Sequence, residues 1–284
     1  MSIARSIALL VFAGCSLLAR PAFAQNESGP DLSIELVDPK VLRVCADPRN
    51  LPFSNEAGDG FENRLAGMLA QKLGKPLAYT YYPGATGFVR NTLNAHKCDV
   101  IMGYPQGDDL VQPTNPYYRT AYVLIARKDA GLDGIGSLDD SRLRGKKIGI
   151  IAGTPPATNL AVNGLLPFIH SYPLVIDTRF DSSTDRMFKD LQAGEIDVAI
   201  LWGPIGGYDA KNSKLDLNVV PLVHEKSGPR MIYRIGMGVR HSDQNWKREL
   251  NRFISENQRA IEQLLAAYGV PLLDEQDKPI QVGP

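Results

Sequence analysis

The sequence predicts an α/β fold of two lobes, each a mostly parallel sheet flanked by helices, and three observations carry that prediction. Short apolar runs alternate with stretches of helical periodicity, and the alternation occurs twice. The two units close on matching phrases, Cys98-Asp99-Val100-Ile101 in the first and Ile196-Asp197-Val198-Ala199 in the second. Two further apolar segments stand where the chain leaves one unit and returns to it.

Residues 25–38 are polar and aperiodic, and read as a lead-in. Val41 to Ala46 is a short apolar strand. Phe61, Leu65, Met68, Leu69 and Leu73 then fall on one helical face, closed by Gly74. Leu77 to Tyr82 is a second strand, Phe88 to His96 a second helix and Asp99 to Gly103 a third strand. Successive parallel strands need crossover connections, and helices supply them. In the second unit Lys147 to Ile151 is a strand, and a helix starts near Ala157 and runs through Leu165. Leu174 to Asp177 reads as the next strand. Ser182 or Ser183 caps a helix bearing Met187, Phe188 and Leu191, and Asp197 to Leu201 closes the unit. Ala121 to Ala126 leads out of the first unit, and Arg234 to Arg240 leads back. A last amphipathic helix runs from Trp246 to Tyr268 and stops at Gly269-Val270-Pro271. Two crossings make the first lobe discontinuous, residues 31–126 plus 236–284, and the second continuous, residues 127–235. Lobes joined in this way are expected to hinge about a cleft.

The first residues predict export. Arg5 gives a positive start, Ile7 to Leu18 an apolar stretch, and Ala22-Phe23-Ala24 a small-x-small cleavage site, so residues 1–24 read as a signal peptide. Phe12-Ala13-Gly14-Cys15 resembles a weak lipoprotein box, but the apolar stretch continues past Cys15 to the better site. That stretch is shorter than the ~20 residues of a membrane span. With 31 basic and 31 acidic residues the chain carries no nucleic-acid footprint and no polybasic membrane patch.

No catalytic residue and no metal ligand is assigned. His96, His170, His224 and His241 are isolated, and none has a partner at metal-binding spacing. There is no Gly-x-Ser-x-Gly elbow, no complete phosphate loop and no dinucleotide fingerprint. Asp47, Glu62, Asp108 and Asp109 read as solvated or capping carboxylates. Past the cleavage site two cysteines remain, Cys45 and Cys98. An oxidising compartment favours a bridge between them. Cys45 sits near the end of its strand, however, and Cys98 near the start of a parallel neighbour, which opposes the ~7 Å limit on Cα separation. A disulfide and two buried thiols both stand as readings.

Several phrases resemble the periplasmic solute-binding proteins of the amino-acid type, family 3. They include Leu42-Arg43-Val44, Pro52-Phe53, Gly60-Phe61, Asn115-Pro116-Tyr117-Tyr118 and Gly145-Lys146-Lys147-Ile148-Gly149. This resemblance implies the type II clamshell and a periplasmic location. Others are similar to the binding-protein-like partners of quinoprotein alcohol dehydrogenases, the J proteins (MxaJ/XoxJ type) of methanol dehydrogenase systems. These are Val44 to Pro48, Leu51 to Asn55, Gly60 to Asn63, Thr80 to Pro83, Gly87 to Leu93 and Pro116 to Thr120. What that likeness implies is a non-enzymatic accessory role toward a periplasmic enzyme that carries pyrroloquinoline quinone (PQQ), this chain itself holding no cofactor.

An amino-acid ligand needs a cation and backbone N–H groups for its carboxylate and an anion for its ammonium. Where ordinary family members place the arginine, this chain reads Gln106-Gly107-Asp108-Asp109-Leu110-Val111. Where they place a donor turn it reads Gly153-Thr154-Pro155-Pro156, and proline has no N–H. Where they place the ammonium-binding aspartate it has Trp202. All three devices are lost or weakened, so free amino acids are not expected to bind. Phe53, Tyr117, Tyr118, Trp202 and Tyr208 are candidates for the cleft or for partner contact, and a core role is the competing reading for each. Trp202 stands out because it ends a parallel strand, beyond which ligands sit in such sheets. Two other functions stay in view. One is a receptor delivering a non-amino-acid solute to an ABC importer. The other is a dehydratase-like enzyme, for which no acid–base pair is identified.

Overall fold

Residues 34–177 and 180–283 are described by a computed structural model. The expected signal peptide, residues 1–24, lies outside them. In chain order the strands and helices are β1 (Leu42–Ala46), β2 (Arg49–Asn50), β3 (Ser54–Asn55), α1 (Phe61–Leu73), β4 (Leu77–Tyr81), α2 (Phe88–Asn91), β5 (Val100–Pro105) and β6 (Gln112–Pro113). Then come β7 (Tyr118–Arg127), β8 (Ile148–Ile151), α3 (Pro155–Val162), β9 (Ile169–Tyr172), α4 (Ser183–Ala193), β10 (Val198–Trp202), α5 (Gly203–Asn212), β11 (Leu217–Pro221), β12 (Ile232–Val239) and α6 (Gln244–Ala267).

The strand order is β4-β1-β5-β12-β7-β10-β8-β9, with β6 beside β12 and β11 beside β7. β4, β1 and β5 run parallel, as do β9, β8 and β10. β7 and β12 lie antiparallel between these two trios and are the crossing strands. The first residues of β7, Tyr118 to Ala121, pair with β12, while Tyr122 to Ala126 pair with β10. One apolar core draws on Leu42, Phe61, Leu65, Met102, Tyr117, Met237, Trp246 and Phe253. Two others draw on Leu124, Ile148, Leu160 and Ile200, and on Ile125, Met187, Leu191 and Ile196.

Three local expectations differ from the structure, and one strand, β11, was not expected. The second helix is a single turn, Phe88–Asn91, because the Thr92 hydroxyl donates to the Phe88 carbonyl at 2.7 Å and His96 adopts a φ of 57°. The helix near Ala157 stops at Val162 and does not reach Leu165, since Gly164 turns left-handed at φ 70°. Leu174 to Asp177 is not a strand. The partner of β8 is Ile169–Tyr172, Pro173 ends it, and Leu174 and Val175 are left exposed. β11 carries no strong signal, because each of its residues is only partly buried. Ser182 is the cap of α4, its hydroxyl accepting from the Asp185 N–H at 3.1 Å.

Besides the crossing strands, α5 and the end of α6 join the two halves. A Cβ at Gly207 would lie 2.0 Å from the Gly269 carbonyl oxygen, so only glycine permits this approach. Tyr208 stacks on Tyr268 there, centroids 6.2 Å apart. A buried ionic cluster closes the first lobe. Asp99 accepts from Arg43 Nε at 2.7 Å and from Arg240 Nη2 at 2.6 Å, and Arg240 also pairs with Asp243 at 2.7 Å.

Candidate binding cleft

The ends of β1, β5, β8 and β10 open onto one cleft, as expected where parallel strands run out. Its volume is about 1270 Å³. The wall from the first lobe carries Asp47, Phe53, Glu62, Phe88, Tyr104 and Tyr118. Tyr122 and Tyr233 come from the crossing strands, and Thr154, Leu174, Ile176 and Trp202 from the second lobe.

Of the aromatic candidates, the structure brings Phe53, Tyr118 and Trp202 to this cleft. Tyr117 is not there. It is 1% exposed, packed in the first core, with its hydroxyl donating to the Met102 carbonyl at 2.8 Å. Neighbours on extended backbone face opposite ways, so only one of Tyr117 and Tyr118 could reach the cleft. Tyr208 is not there either, because α5 turns it outward against Tyr268. Cys45 and Cys98 are bridged, with Cα atoms 5.4 Å apart. Cys98 stands in the turn before β5, so the offset expected between paired strand residues does not apply.

Trp202 sits in an aromatic group that the sequence did not reveal. Its ring lies 5.2 Å from Tyr122 and 5.5 Å from Tyr233, each at a steep angle. Edge-to-face contacts of this kind fix ring orientation. The available signal was the period-2 alternation of the crossing strands, which puts Tyr118 and Tyr122 on one face. The Thr154 turn is consumed internally: its N–H and its hydroxyl both donate to the Ile151 carbonyl, at 3.3 and 2.6 Å. Pro155 and Pro156 then open α3, leaving few N–H groups for a carboxylate.

Glu62 is the other missed residue. It lies in the first turn of α1, beside the turn that Asn63 fixes by accepting from the Gly60 N–H at 3.2 Å. Its carboxyl lies over Gly103 of β5, where an added Cβ would meet Oε1 at 2.2 Å. Burial, and secondarily the Asp47 carboxylate, push its pKa up to about 8. The helix N-terminus would favour the charged form, so desolvation outweighs it here. Asp47, by contrast, acts as a turn acceptor, receiving the N–H groups of Arg49 and Gly84. Asp108 likewise caps a turn, accepting from Leu110 N–H at 2.8 Å. Among the described residues no three potential metal-binding side chains converge, and no helix is long and apolar enough to cross a membrane.

Comparison with known proteins places these features. The family described as bacterial extracellular solute-binding proteins, family 3, matches residues 42–269. Protein MoxJ of Methylorubrum extorquens is 30% identical over 90% of this chain and 90% of its own. The crystal structure of the periplasmic binding protein XoxJ from Methylobacterium extorquens AM1 is 43% identical and covers 83% of this chain and 100% of that one, with a TM-score of 0.69. MxaJ from Methlophaga aminisulfidivorans MPT is 27% identical, covers 82% of this chain and 100% of its own, and superposes with a TM-score of 0.70.

Proposed function

The chain belongs to the bacterial extracellular solute-binding proteins of family 3, and from that premise we propose that it is a periplasmic, non-enzymatic accessory of a PQQ-dependent alcohol dehydrogenase, supporting that enzyme's assembly or activity. Methanol is the alcohol the J-protein likeness favours. The observation that carries the reading is a degraded amino-acid site in a chain similar throughout to MoxJ, XoxJ and MxaJ. With Trp202 in place of an anion and prolines in place of N–H donors, the cleft loses the chemistry of an amino-acid receptor. The same proposal includes export by residues 1–24 and lobes at 31–126 plus 236–284 and at 127–235. Phe53, Tyr118 and Trp202 are its cleft contacts, and Tyr208 serves as an outer contact.

A second reading, an importer receptor for a non-amino-acid solute, draws on the open cleft of about 1270 Å³. Tagged protein purified from periplasm separates the two. The accessory reading expects the quinoprotein dehydrogenase to co-purify in near-stoichiometric amount. Recovery of a permease, with no dehydrogenase, favours the receptor.

A further inference from the structure

Among the described residues three acids line the cleft, and two are engaged. Asp47 accepts two backbone N–H groups, and Asp181 pairs with Arg186. Glu62 has neither kind of partner: among the described residues no ion pair or hydrogen bond engages its carboxyl. Among the described residues the arginines that line the cavity, Arg49 and Arg90, are exposed. Arg43 and Arg240 are tied to Asp99 elsewhere in the lobe.

Aliphatic and hydroxyl side chains share the rest of the wall with an aromatic set, Phe53, Tyr118, Tyr122, Trp202 and Tyr233, which face one cavity. Aromatic faces attract cations, and a desolvated carboxylate gains most from one. Pro155 and Pro156, which open α3 after Thr154 of the wall, withhold N–H donors from an anion, and Glu62 would repel one once ionised. We propose that this cleft binds an organic cation, an ammonium or guanidinium group held against the Glu62 carboxylate beneath the Trp202 and Tyr118 rings. The assignment rests on reading the cleft as the molecule's binding site. It differs from an amino-acid site in needing no carboxylate on the ligand and in placing the anion on α1 rather than after β10.

The groups facing Glu62 are Asp47 beyond β1, Tyr79 of β4, and Tyr117 and Tyr118 at the start of β7, while β5 offers only Gly103. The three tyrosines are held above their ordinary range by burial, so Glu62 is the group among them that ionises between neutral and mildly alkaline pH. A cation prefers its charged form. Affinity for a cation that cannot itself titrate therefore rises as pH passes through about 8, and binding at neutral pH releases a proton.

The test is calorimetric titration of the purified chain with choline and with its uncharged isostere, 3,3-dimethylbutan-1-ol. A third ligand, acetyl-Gly-Arg-Gly-amide, carries the cation on a peptide. Choline or the peptide is expected to bind at least about tenfold more tightly than the isostere. That affinity should rise roughly tenfold from about pH 7 to about pH 9, with a binding heat that depends on buffer ionisation. Glu62→Gln should abolish the pH dependence and the proton release and weaken binding about tenfold, with thermal melting as the check on folding. Trp202→Leu should weaken binding at every pH and leave the proton release intact. Whichever cation binds more tightly tells a free cation from an arginine side chain. Equal affinity for choline, peptide and isostere, no binding of either cation, or unchanged titration in Glu62→Gln overturns the proposal. Co-purification with the dehydrogenase is a separate readout, so either result can fail without the other.

Discussion

Asp99→Asn removes the charge at the centre of the ionic cluster and keeps the shape. Asp99 is 1% exposed and receives Arg43 Nε and Nη2, both at 2.7 Å, Arg240 Nη2 at 2.6 Å and the Asp38 N–H at 3.1 Å. Removing one member of a buried pair costs about 3–5 kcal/mol, because the surviving charge stays buried. Two features hold this case near the lower end. Arg43 is partly exposed and can turn to water. Arg240 keeps Asp243 at 2.7 Å and the carbonyls of Cys98 and Leu93 at 2.7 and 3.2 Å. The expected loss is about 3 kcal/mol, read by urea unfolding at an unchanged slope. Arg240→Met combined with Asp99→Asn should cost about 1–2 kcal/mol less than the sum of the single changes, since the two residues share one interaction. A loss below about 1 kcal/mol, or strict additivity, would refute the view that this cluster locks β1, β5, β12 and α6 together.

Replacing Cys45 and Cys98 by serine opens a bridge spanning 53 residues. It should cost about 2–4 kcal/mol on the chain-entropy view, and a melting temperature equal to that of the oxidised protein would contradict this. Gly207→Ala drives a Cβ to 2.0 Å from the Gly269 oxygen and should destabilise by about 1–3 kcal/mol in thermal unfolding. Glu62 has a folded pKa of about 8 against an ordinary 4.5, so the native state holds a proton that the unfolded chain releases between those values. Wild-type stability should therefore fall relative to Glu62→Gln as pH rises from about 5 to 8 and level off above, with parallel profiles speaking against it. Asp209, raised to about 7 by burial and by Asp185, adds a slope of the same sign that survives in Glu62→Gln. A calorimetric panel of free amino acids with neutral or acidic side chains should show no binding, and micromolar affinity for any of them would overturn the reading of the degraded site. Solution scattering with and without the dehydrogenase should report a changed angle between the lobes, and one rigid shape fitting both states would count against hinging.

β8 and β10 were legible in the sequence because a strand buried on both faces is an unbroken apolar run. Leu174 to Asp177 shows the limit of that signal. The run is apolar, but Pro173 has already ended the paired segment, and the chain leaves the sheet toward the cleft mouth. Trp202 could be placed because a strand's end needs no register. Choosing between Tyr117 and Tyr118 needed one, since a shift of a single residue exchanges core for cleft. Glu62 stood in a phrase whose helical role was plain. Its desolvation, however, comes from segments some 40 to 60 positions away, Gly103 of β5 and Tyr118 of β7. No local pattern encodes that. The Cys45–Cys98 bridge stayed open in the sequence for a related reason, because Cys98 was placed by strand offset alone and the turn before β5 that brings it to Cys45 has no local pattern.

The accessory role is tested most directly in a strain lacking this chain, by assaying the quinoprotein alcohol dehydrogenase in periplasmic extract and its state of assembly on a native gel. The account predicts that assembly or activity falls and is restored by the wild-type gene. Unchanged assembly together with unchanged activity would contradict it.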